Sequence, residues 1–140
     1  MSEVDFPSGK WIGFYTYAAW SQRHLMDLIL HFRGGIISGE GADDIGFFGI
    51  DGRYYPKEAE CTWTKTYFGG HSVDYVGYRE KKGIWGTWTI GLAKGGFHIW
   101  PIAEGASIEK LREEIEQESP LPLQSAKQPV RTDVPVAHYC

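Results

Sequence analysis

Between Gly9 and Pro101 the chain repeats one phrase: a short run of β-branched and aromatic residues, punctuated by glycine and in most cases carrying a tryptophan or tyrosine. Runs of this length bounded by turn residues read as strands, and a long series of them with tight connections leaves no open edge only if the sheet closes on itself. The expected fold is all-β, an eight-stranded up-and-down antiparallel β-barrel followed by a C-terminal α-helix. Such a barrel has an interior just wide enough to be filled by side chains or to hold one small ligand.

The strands are expected at 9–20, 23–33, 36–41, 45–50, 60–67, 71–79, 84–92 and 97–102. Asp51-Gly52 and Lys94-Gly95-Gly96 are read as turns. In the second run Met26, Leu28, Leu30 and Phe32 fall on one face and Asp27, His31 and Arg33 on the other, which favours period two over a helix. The fifth run alternates most cleanly, with Thr62, Thr64 and Thr66 facing solvent and Cys61, Trp63, Lys65 and Tyr67 facing in.

Past the barrel the period changes. Ile108, Leu111 and Ile115 recur at three and four residues among charged neighbours, the stripe of an amphipathic helix expected to dock on the barrel. The organisation is an N-terminal extension over 1–8, the barrel over 9–103, the helix over 104–118, and an extended or disordered tail with four prolines over 119–140.

Fourteen basic and eighteen acidic residues give a net charge of −4, and no run of about five or six lysines and arginines occurs. That balance argues against nucleic-acid or anionic-membrane partners. The two cysteines, Cys61 and Cys140, have neither disulfide-framework nor metal-site spacing. Without a leader-like N-terminus or an apolar run long enough to span a bilayer, a cytoplasmic protein is expected.

Gly9-Lys10-Trp11, opening the first strand of an eight-strand pattern, resembles the Gly-x-Trp signature of the calycin barrels, which include lipocalins, fatty-acid-binding proteins and avidins. The resemblance implies a barrel whose glycine turns the chain into the floor while the indole plugs the narrow end. The helix after the last strand is more similar to lipocalins than to avidins. Three features depart from the group. The last strand offers only His98 where lipocalins place a basic residue over the tryptophan, Ser21-Gln22 leaves no room for the helices of fatty-acid-binding proteins, and Tyr15-Thr16-Tyr17 lacks the polar set of avidins. The chain is also similar to bacterial proteins of no assigned function, which adds no chemistry.

Among candidate site residues Lys65 is the sharpest, because an inward lysine needs a carboxylate, an anionic ligand or water to keep its charge. Against that stands a snorkelling lysine at the mouth. Tyr15, Tyr17, Trp63, Tyr67, Tyr75 and Trp88 can form an aromatic cage suited to a flat ring or a cation, or can simply fill the barrel. With His71 these residues form the expected ligand-binding set. No histidine pair has the spacing of a zinc motif, so no metal or cofactor is expected, and Asp43-Asp44 reads as a turn.

The leading expectation is a non-catalytic barrel that binds a small aromatic or anionic ligand. The alternative is a packed barrel acting as a protein-interaction module, with an enzyme ranked third. A homodimer through outward-facing Ile12, Phe14 or Ile90 is a further expectation.

Overall fold

The computed structural model describes residues 1–17 and 22–103, together with Lys110, Glu113 and Glu116. The strands are β1 (Gly9–Thr16), β2 (His24–Arg33), β3 (Ile36–Asp43), β4 (Phe47–Tyr55), β5 (Glu60–Tyr67), β6 (Ser72–Glu80), β7 (Gly83–Ile90) and β8 (Ala93–Pro101). Each pairs antiparallel with the next, and β1 pairs with β8 to close the barrel. The eight-stranded up-and-down closed barrel is thus the fold. The expected helix over 104–118 and tail over 119–140 lie outside the described residues, apart from the three isolated positions.

Period-two patterning sets which face turns in. In β2 the even-numbered Met26, Leu28, Leu30 and Phe32 are buried while Ile29 is exposed, as the alternation predicts. In β5 Cys61, Trp63, Lys65 and Tyr67 are buried, and the three threonines are not.

Two turn assignments are corrected. Asp51-Gly52 lies inside β4, where Gly52 pairs with Ile37 on one side and Trp63 on the other, and the β4–β5 connection is made by the 3-10 turn Pro56–Glu58. Lys94-Gly95-Gly96 lies inside β8, and the β7–β8 turn falls at Gly91, whose φ is +58°. In both cases a glycine read as a turn serves close approach within the sheet. A Cβ on Gly52 would stand 2.0 Å from the Thr62 carbonyl oxygen, closer than real side chains come.

One end of the barrel is plugged by the chain's own start. After a 3-10 turn at Glu3–Asp5, Phe6 inserts between Phe32 and Tyr54, with ring centroids 5.6 and 5.2 Å away. Trp11 packs on Phe32 and donates from Nε1 to the Pro7 carbonyl at 2.9 Å, so the indole holds the incoming segment as well as the floor. Tyr54 donates to Glu3 Oε1 at 2.7 Å. The basic residue over the tryptophan comes from β6: Arg79 lies 6.0 Å from the Trp11 ring and donates to the carbonyls of Asp5, Lys81 and Gly83. His98, the residue the last strand offered for this place, is on the outside of the barrel beside Phe14, Trp85 and Trp100.

Candidate functional site

The opposite end carries the polar chemistry. Lys65 is fully buried, and the reason is register: it pairs with Ile50 on β4 and Val73 on β6, both inward-facing. A buried ammonium is stable only with compensating charge and dipoles. Its Nζ stands 2.7 Å from Asp43 Oδ2, and Tyr67 donates its hydroxyl to the same oxygen at 2.6 Å. Oδ1 of Asp43 accepts the backbone N–H groups of Ile45 and Gly46, at 2.9 and 3.3 Å. One carboxylate therefore folds the β3–β4 turn and neutralises the lysine.

Rings complete the surroundings of the ammonium. Phe48, Tyr15, Tyr67 and Tyr75 have centroids 4.7, 4.9, 5.1 and 5.2 Å from Nζ. An electron-rich ring face attracts a cation at these distances. Three of the residues expected to cage a ligand thus surround the chain's own lysine.

A second carboxylate lies beside the first and meets water. Asp44 accepts the Tyr15 hydroxyl at 2.5 Å through Oδ1 and lies 2.6 Å from His24 Nδ1 through Oδ2, with half of its side chain exposed. Burial raises its pKa, but the bonds from Tyr15 and His24 outweigh this and hold the carboxyl below its usual range. Tyr15 and His24 are stacked, with centroids 4.8 Å apart at 13°. Tyr17 stands edge-on to Tyr15, His24 and Trp88. Trp88 donates from Nε1 to the Thr16 carbonyl at 3.0 Å, across a gap left open by Gly95, whose Cβ would stand 2.5 Å from that nitrogen.

Of the expected site residues, the structure brings Lys65, Tyr15, Tyr67 and Tyr75 around one ammonium and joins Tyr17 and Trp88 to them through Tyr15. Trp63 is deeper, stacked on Tyr75 at 5.3 Å and edge-on to Phe97. His71 packs on Tyr67 at 5.0 Å. The residues missing from the expected set are Asp43, Asp44 and His24. Asp43 carried a signal, since it continues the inward parity of Ile37, Gly39 and Gly41, and Lys65 demanded a carboxylate. Asp44 and His24 lie at strand ends where alternation stops informing.

Among the described residues no group of three or more His, Cys, Asp or Glu side chains comes together to hold a metal. Cys61 is buried in the wall, its thiol pushed up to about 12, chiefly by burial and further by Glu60. No helix of the described residues is long and apolar enough to cross a membrane.

Outside the barrel, the rows Ile12, Asp27, Ala42, Phe47 and Lys10, Ile29, Glu40, Gly49 run across β1 to β4. Beside the exposed rings of Phe47 and Phe68, the small Ala42 and the neighbouring Ile12 and Ile29 line an apolar groove of about 440 Å³.

The class these features define is a closed, eight-stranded, up-and-down antiparallel β-barrel with one plugged end and a charged cluster at the other. Comparison with protein-family models, with curated proteins and with solved structures gives no match.

Proposed function

We propose that the protein is a calycin-like barrel that binds a small ligand at the end bearing Tyr15, Tyr17, His24 and Asp44. The observation that carries this reading is the half-exposed Asp44 carboxylate, held ionised by Tyr15 and His24 and flanked by the stacked rings of Tyr15, His24 and Tyr17. Small-molecule sites combine apolar walls with a few placed polar groups, and this end has both.

The charge of the site alters the ligand class. Lys65 is neutralised by Asp43, so the group facing solvent is a carboxylate rather than an ammonium. A flat-ringed compound carrying an amine therefore suits the site better than an anion, with the amine on Asp44 and the ring against Tyr17. Thermal-shift and calorimetric titrations with aromatic amines, and with matched aromatic carboxylates, test this. The amines should stabilise the protein and the carboxylates should not, and Asp44→Asn should remove the effect. No response to either set removes the ligand-binding reading.

The groove over Ala42 favours a second reading, a protein-interaction module whose partner inserts an apolar side chain between Phe47 and Phe68. Phe68→Asp, on the outer surface, separates the two: it should abolish partner capture and leave amine binding at the Asp44 end unchanged.

A further inference from the structure

The sequence holds no basic run, yet the register of β2, β3 and β4 assembles a cationic patch from residues far apart in the chain. Arg33 pairs with Ile36 and Ile36 with Arg53, and in the next row His31 pairs with Ser38 and Ser38 with Asp51. Phe32, Ile37 and Tyr54 are buried, so by alternation these rows lie on the outer wall, beside the plugged end. Directly opposite residues on one face are neighbours, which sets the backbones of the two arginines about 10 Å apart across Ile36.

Part of this patch is concave. Ser8, His31, Arg33, Ile36 and Ser38 line a cleft of about 520 Å³. The Ser8 hydroxyl accepts the Phe32 N–H at 2.9 Å and donates to the Phe32 carbonyl at 3.4 Å, which fixes the incoming chain as one wall of the cleft. The ion pairs of the described residues are His24–Asp44 and Lys65–Asp43, and Arg33 and Arg53 belong to neither. Asp51 is the one acid of the two rows across β2 to β4, so positive charge is in surplus here in a chain of net charge −4. We propose that the cleft binds the phosphate group of a phosphate monoester, with Arg33 and Arg53 gripping it from either side of Ile36 and His31 and Ser38 donating from the next row.

The chemistry favours phosphate over a carboxylate. Two planar guanidinium forks can take the oxygens of one anion from opposite sides, and charge-assisted bonds of this kind are the strong ones. A phosphate monoester carries about two negative charges on three oxygens, enough acceptors for both forks and for the donors of His31 and Ser38. Ile36 and Tyr55, exposed by 44% and 42% on the same wall, offer apolar surface to the organic part of the ester. The site is independent of the Asp44 end, which lies at the other end of the barrel and presents the opposite charge.

The test is an amide NMR titration of the full-length chain with phenyl phosphate, and with benzoate as the matched carboxylate. Phenyl phosphate should give saturable shifts centred on residues 31, 33, 36, 38 and 53, and benzoate should bind more weakly. Arg33→Gln and Arg53→Gln change exposed side chains outside every ion pair, so both variants should melt with the wild type while weakening the ester about tenfold. Lys10→Gln, elsewhere on the outer wall, should bind as the wild type does. Vesicles of phosphatidic acid in phosphatidylcholine separate two sources of the same group. Retention on them that is lost in Arg33→Gln assigns the phosphate to a lipid headgroup, and binding of phenyl phosphate without retention assigns it to a soluble ester. Absence of both binding and retention overturns the proposal, as do shifts that survive in the two arginine variants or equal affinity for benzoate.

Discussion

Lys65 and Asp43 form an ion pair in which neither side chain meets water, Nζ standing 2.7 Å from Oδ2. Burying such a pair contributes little net stability, because the desolvation of both charges offsets their attraction. Removing one partner is another matter. Asp43 also holds the N–H groups of Ile45 and Gly46 and accepts the Tyr67 hydroxyl, so it cannot move out to water without unfolding the turn.

Lys65→Met should therefore destabilise the fold by about 3–5 kcal/mol, the usual cost of leaving a buried charge unpaired. Lys65→Met with Asp43→Asn should recover part of that loss, because the amide keeps its turn contacts without a charge. Urea denaturation of the two single variants and the double variant gives the coupling directly. Equal stability of wild type and Lys65→Met would show that the pair constrains nothing.

The inward lysine was legible in the sequence because β5 alternates without interruption from Cys61 to Tyr67, with every threonine on the other face. The same logic fixed the parity of β2. It failed where glycine has two uses: Gly52 and Gly95 read as turns, yet both sit mid-strand, where a Cβ would meet the neighbouring backbone. Nor could it place Arg79 on Trp11, since that contact joins β6 to β1 across the barrel floor and has no local pattern. The outer cluster of Phe14, His98 and Trp100 was hidden for a related reason: strands with large apolar groups on both faces have no parity to read, and Phe14, expected at a dimer interface, is buried within the chain.

The plug at the closed end should carry measurable stability. Phe6 contacts Phe32 and Tyr54 and lies outside every strand, so Phe6→Ala leaves the sheet intact and opens a cavity. Such truncations of buried phenylalanine cost about 3–5 kcal/mol. Arg79→Lys should also destabilise, because an ammonium cannot reproduce the planar fork that reaches the Asp5, Lys81 and Gly83 carbonyls. Thermal melts of both variants check this, and a melting temperature unchanged by Phe6→Ala would mean that the N-terminal segment is not part of the core.

Cys61 should be chemically silent in the folded state. The thiolate is the reactive form, and burial with the nearby Glu60 pushes this thiol up to about 12. In a Cys140→Ser background, iodoacetamide at neutral pH should leave the native protein unlabelled and modify one site once urea unfolds it. Rapid labelling of the native chain would require an opening of the β5–β6 wall that the structure does not contain.

His98 makes the outer wall acid-sensitive. Burial, and then the positive charges of Lys82, Arg23 and Arg79, lower its pKa from 6.5 to about 3. Above pH 6.5 the imidazole is neutral in both folded and unfolded chains, and the group contributes nothing to the pH dependence. As pH falls from 6.5 towards 3 the unfolded chain takes up a proton that the folded chain does not, so stability drops, at ~1.4 kcal/mol per pH unit at most. Asp44 acts lower down: its folded pKa lies below 3.8, so its contribution is present above that value and is lost as pH falls further. Urea midpoints between pH 7 and pH 5 should decline steadily in wild type and hardly at all in His98→Phe, while Asp44→Asn should keep the wild-type slope across that range. If His98→Phe retains the full decline, the proton taken up on unfolding belongs to another group.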